Sequence, residues 1–381
     1  MCVVPAHAHA HRPASPGPLL ASCAACGGRW RWRVRSGSSR FPLATIGGDG
    51  DKYIVGYSIG DPPQPAEAVV DTTTDLIWTQ CSTCLPTCFR QNLPYYDFSR
   101  SRTVGEVPSN GTLCGVPPTV CARGGGAACA VNARYASGKA LGFLATEVFT
   151  FQTGTTTLAF GCINETTISP APLNGASGII RLGRGALSLV NQLGDTSDGE
   201  TERRSGGAPV TTVPFAENPK AGYPFSSFYY LPLVGLSVGD ASVAVPAGAF
   251  DLRQVAPGAW AGGALIDSGV PFTRLVDPVH RALKQELARQ LGDSLVCRRR
   301  WTRATPRSCA WRDLVVPPVN YWALVDASPW CMVVVSSAHG NGTLPMNETT
   351  VIGGYMQQDM HVLYDLANGV VSFQPADCST V

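Results

Sequence analysis

One short pattern occurs twice in this chain. In the first half the apolar run Ala68-Val69-Val70 delivers Asp71-Thr72; in the second, Ala264-Leu265-Ile266 delivers Asp267-Ser268-Gly269. Leu76-Ile77-Trp78 follows the first site, and Phe272-Thr273-Arg274-Leu275 follows the second. Each half then carries an apolar pair in glycine-rich text, Gly178-Ile179-Ile180-Arg181-Leu182-Gly183 and Val351-Ile352-Gly353-Gly354. A single aspartate at a strand end is ordinarily a turn cap. Two in matching contexts, 196 residues apart, fit two halves built alike and facing each other, with the carboxylates meeting between them.

Composition agrees with that plan. A chain of 381 residues suits two domains. Its 71 glycines and prolines suit a turn-rich β protein and argue against a helical bundle. Only 15% of residues are charged, against about 25% in ordinary globular proteins, so the surface relies on neutral polar groups. A net charge of +2 leaves no whole-chain footprint for nucleic acid. The single basic run (Arg298, Arg299, Arg300, Arg303, Arg307) reads as a solvated loop. No apolar stretch reaches the roughly 18 residues of a membrane span.

Strands are expected at Tyr53–Ile59, at Ala66–Val70 after a proline-rich turn, at Leu144–Phe151, Thr157–Phe160, Tyr229–Val234, Ala264–Ile266 and Val370–Phe373. The clearest helix starts at Asp277-Pro278, with Val279, Leu283, Leu287 and Leu291 on one stripe before Gly292. The organisation expected is a disordered extension over residues 1–45, a first lobe over 46–194, a polar linker over 195–208 and a second lobe over 209–381. His7, His9 and His11 could bind a metal, but a disordered tail is the better reading.

Fourteen cysteines point to an oxidising compartment. The pairs Cys23/Cys26 and Cys81/Cys84 stand too far apart for a zinc ribbon, so disulfides are the better reading. Sequons at Asn110, Asn164, Asn341 and Asn347 support a secreted or vacuolar glycoprotein. Residues 1–45 contain no apolar signal-peptide core, so the true start, with leader and pro-segment, is expected to be missing from this sequence.

Read together, these segments resemble the pepsin-like aspartic proteases, in particular the plant nepenthesin-like branch, from about Lys52 to Cys378. The closest stretches are Asp75-Leu76-Ile77-Trp78-Thr79-Gln80-Cys81, Gly142-Phe143-Leu144-Ala145-Thr146-Glu147, Gly175-Ala176-Ser177-Gly178 and Leu187-Ser188-Leu189-Val190. Met360-His361-Val362-Leu363-Tyr364-Asp365-Leu366 is the most specific. The resemblance implies an all-β, bilobal fold with few short helices and a cleft between pseudo-twofold lobes. It implies a monomeric endopeptidase acting on protein or peptide substrate without a cofactor or metal.

Asp71 and Asp267 match the family's catalytic pair. Two carboxyls sharing a cleft cannot both ionise easily; aspartic proteases are the standard case. The charged member takes a proton from water, which attacks the peptide carbonyl, and the neutral member protonates the oxyanion. Such a pair titrates jointly, so the sequence does not divide the roles. Thr72 and Ser268 match the hydroxyls that lock the two loops together. Thr74 matches the hydroxyl that steadies the first aspartate, and Gly269 completes the second site. Tyr135 resembles the flap tyrosine, with Trp78 behind it. The disulfides implied are Cys81–Cys84, Cys88–Cys162, Cys114–Cys121 and Cys297–Cys331, leaving Cys129, opposite Ser109, and Cys378 without partners.

Three departures stand at the site. Thr73 replaces a glycine whose freedom a β-branched residue lacks. Val270 replaces a hydroxyl donor to Asp267. Arg181 takes a glycine position beneath the Asp71 loop, where a guanidinium must snorkel out or shift the loop. The family's text is also shortened around 194–210 and replaced by arginines around 297–311. These changes keep open a second reading: a catalytically silent relative that binds protein or carbohydrate, as xylanase-inhibitor-like proteins do.

Overall fold

Tyr53–Ile59 and Gln64–Asp71 form an antiparallel pair with Ile54 opposite Val69. The first strand alternates buried and partly exposed residues, as period-two geometry requires, whereas Ala68 to Asp71 are buried throughout. The computed structural model describes residues 29–31, 33–35, 43–46, 52–193, 210–291 and 314–375, apart from 85–86, 122–127, 136, 153, 171–172, 218–224, 258, 315, 317–319, 326–327 and 339–345.

The twofold plan of the sequence is a plan of strand pairing. The Asp71 strand runs parallel to Gly178–Arg181, which places Ile180 beside Val70 and Arg181 beside Asp71. The Asp267 strand, Ala264–Ile266, runs parallel to Thr350–Ile352, with Ile266 beside Ile352. In each half that inserted strand also pairs antiparallel with the strand following the aspartate: Ile179 with Trp78, Val351 with Arg274. In each half that following strand then runs parallel to one further strand, Gly154–Thr166 in the first and Val334–Ser336 in the second. The molecule is accordingly mainly β and bilobal. Strands buried on both faces read as continuous apolar runs, which is why the repeat is visible in the text at all.

Observed elements are longer than expected where pairing extends them: Gly138–Phe151 and Gly154–Thr166 form one long hairpin. Tyr229–Leu231 is shorter, ending before Pro232, which cannot donate to a ladder. Ala130–Tyr135, too polar in alternation to stand out, pairs with the start of Gly138–Phe151. The helix spans Asp277–Leu291, with Val279 buried and Leu283 and Leu287 against Phe250 and Leu275.

Three short strands fall within the stretch expected to be disordered. Arg29–Arg31 pairs with Leu43–Ile46, which continues onto Tyr53–Ile59. Arg33–Arg35 runs parallel to Met360–Asp365. Edge pairing with distant strands orders these residues, a contact that local composition does not register. The largest apolar cluster joins both lobes, from Val70, Phe149 and Ile180 to Tyr229, Ile266, Tyr364 and Phe373.

The disulfides differ from the implied set. Cys81 bonds Cys162, Cys84 bonds Cys88 and Cys114 bonds Cys129, with Cα separations of 5.6, 5.5 and 5.7 Å. Cys129 is therefore not an orphan, and Cys121, expected to pair with Cys114, is free and exposed. The pairing implied by the resemblance does not hold for these cysteines. Cys81 directly follows the strand Trp78–Gln80, which pairs with the one carrying Cys162, and its amide donates to the Ile163 carbonyl. Cys297, the linker, the arginine run, Asn341 and Cys378 lie outside the described residues. Asn110 and Asn164 are exposed, whereas Asn347 is half-buried with its amide oxygen enclosed. No helix among the described residues is long and apolar enough to cross a membrane.

Candidate active site

Each aspartate ends a buried strand and turns directly into the other lobe. The Thr72 hydroxyl donates to the Ile266 carbonyl at 3.3 Å and accepts the Ser268 amide at 3.1 Å. The Ser268 hydroxyl donates back to the Val70 carbonyl at 3.0 Å. Both side chains are fully buried, so these reciprocal bonds form away from competing water and fix one loop against the other.

This grip brings the carboxylates together. A Cβ built on Gly269 would lie 2.5 Å from the Asp71 carboxyl carbon and 3.1 Å from Asp267 Oδ1. Those two atoms are therefore no more than 5.6 Å apart, and residue 269 has no room for a side chain. Backbone amides two residues on hold equivalent oxygens: Thr73 N–H on Asp71 Oδ1 at 2.7 Å and Gly269 N–H on Asp267 Oδ1 at 2.8 Å.

The departures resolve differently from expectation. The hydroxyl that steadies Asp71 is that of Thr73, donating to Oδ1 at 2.6 Å, rather than that of Thr74. Thr74 sits in the left-handed region at φ 53°, and its carbonyl accepts the Gly183 amide at 3.0 Å. A β-branched residue there is strained, so the loop is held by its surroundings. Val270 is half-buried among Leu265, Val351 and Tyr230 and brings no donor to Asp267.

Arg181 neither snorkels nor lies apart from the dyad. It is 3% exposed; its Nη1 pairs with Asp71 Oδ2 and also donates to the Thr73 carbonyl at 3.1 Å. Its guanidinium lies 5.1 Å from the centre of the Tyr135 ring. Tyr135 ends the strand Ala130–Tyr135 where the hairpin turns, and its ring centre is 6.3 Å from that of Trp78. A guanidinium thus connects the hairpin tip to the first aspartate. Buried charges must pair, and the strand register that sets Arg181 beside Asp71 supplies the partner.

Asp267 is pushed up to about 7, first by burial and then by the Asp71 charge; the Gly269 amide, Arg181 and Lys52 oppose the rise. Burial also raises the Tyr135 phenol, with Arg181 acting against it.

Two buried residues near the site escaped the sequence reading. Asp75 is raised by burial while accepting from the Gly185 amide and the Ser227 hydroxyl. Lys52 is 5% exposed and donates to the Gly269 carbonyl at 2.6 Å. Both lay within the stretch that carries the resemblance, but neither was singled out, because a lone charge beside an apolar strand is common in sequence.

Comparison with known proteins agrees with this geometry. The xylanase inhibitor N-terminal family model matches residues 53–202, and the C-terminal model matches residues 228–312 and 308–375. Aspartic proteinase nepenthesin-1 of Nepenthes gracilis is 30% identical, covering 90% of this chain and 82% of its own length. Aspartyl protease 25 of Oryza sativa subsp. japonica is 29% identical over 90% of this chain and 86% of its own. The crystal structure of edgp superposes with a TM-score of 0.61 at 18% identity, over 88% of this chain and 94% of that one. The chain belongs to the plant pepsin-like aspartic proteases, in their nepenthesin and xylanase-inhibitor-like branch.

Proposed function

We propose that this protein is an aspartic-type endopeptidase that cleaves peptide bonds with water activated between Asp71 and Asp267, and that Arg181 keeps its activity low. The observation that carries the reading is the convergence of two strand-end carboxylates from opposite lobes, gripped by Thr72 and Ser268. Asp71, the ion-paired member, is the base. Asp267 keeps its proton up to about pH 7 and is the acid. A water between them loses a proton to Asp71 as its oxygen attacks the carbonyl carbon, and Asp267 gives its proton to the carbonyl oxygen. Collapse breaks the C–N bond, the departing amine takes the proton from Asp71, and the new acid returns one to Asp267.

Arg181 works against the first step. It occupies Asp71 Oδ2, an oxygen the attacking water needs, and links that carboxylate to Tyr135. The same contact favours a second reading, a silent protein that binds a protein or carbohydrate partner in the cleft. Hydrolysis of denatured protein from about pH 3 to about pH 8, with and without pepstatin, separates them. Slow, pepstatin-sensitive cleavage lost in Asp267→Asn is expected. No cleavage in either the native chain or Arg181→Gly leaves the binding protein.

The disulfides and the exposed Asn110 and Asn164 support a secreted or vacuolar glycoprotein, which we take to act as a monomer. Expressed behind a signal peptide, the protein is expected to lose mass on N-glycosidase treatment.

A further inference from the structure

Lys52 is a buried cation that the chemistry above leaves unused. It immediately precedes the strand Tyr53–Ile59 of the first lobe, yet its Nζ reaches the Gly269 carbonyl in the second, 217 residues away, at 2.6 Å. Its neighbour Tyr53 donates its hydroxyl to the Gly354 carbonyl at 2.7 Å, and the Gly354 amide donates to the Val270 carbonyl at 2.7 Å. Residues 52 and 53 thus form a strap from one lobe that grips the Asp267 loop of the other at two points.

The grip falls on the residue that matters to Asp267. Gly269 accepts Lys52 through its carbonyl and holds Asp267 Oδ1 through its amide. A neutral donor would satisfy a carbonyl equally well, and burying an ammonium is costly unless its charge is used. The ionisable groups facing Asp267 are Asp71 at the end of its strand, Arg181 on the strand beside it, Lys52 on the strap, and Tyr364 from the strand Met360–Asp365. Asp71 opposes ionisation of Asp267, while Arg181 and, after it, Lys52 favour it. Arg181 pairs with Asp71, whereas Lys52 bonds the loop of the second site directly.

We propose that Lys52 is a positioning residue for Asp267: its bond holds the Gly269 peptide and its charge stabilises the Asp267 carboxylate. This rests on Asp267 being part of the dyad chemistry, so the test reads the carboxyl itself and not turnover.

The experiment is a carbon-13 carboxyl titration of the full chain labelled at aspartate, with the Asp267 resonance assigned by its loss in Asp267→Asn. Lys52→Gln keeps a donor for Gly269 without the charge, and Lys52→Met removes both. In each, the Asp267 midpoint should rise by about one pH unit or more, as expected for loss of a nearby unit charge at an effective dielectric of about 20. Lys52→Arg should stay within about 0.3 unit of the native midpoint. Should Lys52→Met fail to fold, Lys52→Gln carries the measurement. A midpoint unmoved or lowered in Lys52→Gln overturns the proposal. A raised midpoint in a protein that cleaves nothing supports Lys52 and counts against the peptidase reading, whereas an unmoved midpoint in an active enzyme does the reverse.

Discussion

Replacing Arg181 with glycine tests the contact that most separates this chain from a working dyad. The guanidinium and Asp71 are almost fully buried, so the attraction between them is little screened. Breaking a buried pair by removing one partner costs about 3–5 kcal/mol. Asp71 would keep both donors from Thr73, at 2.7 and 2.6 Å, which argues for the lower end of that range. Turnover in the native chain must release Arg181 from Asp71 Oδ2, so the same ~3 kcal/mol leaves roughly one molecule in 10² competent at any moment. Arg181→Gly is therefore expected to raise kcat/KM on a denatured protein substrate by about 10²-fold while lowering stability by about 3 kcal/mol in urea unfolding. A double-mutant cycle isolates the pair: Asp71→Asn should cost about 3 kcal/mol beside Arg181 and about 1 kcal/mol or less beside glycine. An unchanged rate together with equal costs of Asp71→Asn in both backgrounds would refute the reasoning.

Three other outcomes follow from the same geometry. Thr73→Gly restores a residue typical of the family yet deletes the hydroxyl on Asp71 Oδ1, so it should lower stability by about 1–3 kcal/mol in urea unfolding and should not raise activity. Asp267, near 3.8 when unfolded and about 7 when folded, favours the native state fully below pH 3.8, and that contribution is lost as pH rises through about 7. Urea midpoints of the native chain should accordingly fall across that window relative to Asp267→Asn, and parallel curves would contradict the buried, protonated carboxyl. Peptide mapping without reduction should recover Cys81–Cys162, Cys84–Cys88 and Cys114–Cys129, with Cys121 alkylated in the native state; a Cys114–Cys121 peptide would overturn the pairing.

The sequence by itself determined the two halves, the strand-end aspartates and the hydroxyls after them. These are legible because strands buried on both faces must be written as apolar runs, and a carboxylate closing such a run is conspicuous twice over. Arg181 was legible as an anomaly, since arginine does not belong in Gly178-Ile179-Ile180, but its direction was not. Only the parallel register that sets residue 181 beside residue 71 decides that the guanidinium turns inward onto Asp71 and under Tyr135. The shift of the steadying hydroxyl from Thr74 to Thr73 likewise depends on backbone angles, which adjacent threonines do not reveal. The Cys81–Cys162 bond and the Lys52 strap were set by contacts between residues 81 and 217 positions apart, respectively. Local patterns record what each segment must bury, and the tertiary structure alone decides which buried charge finds which partner.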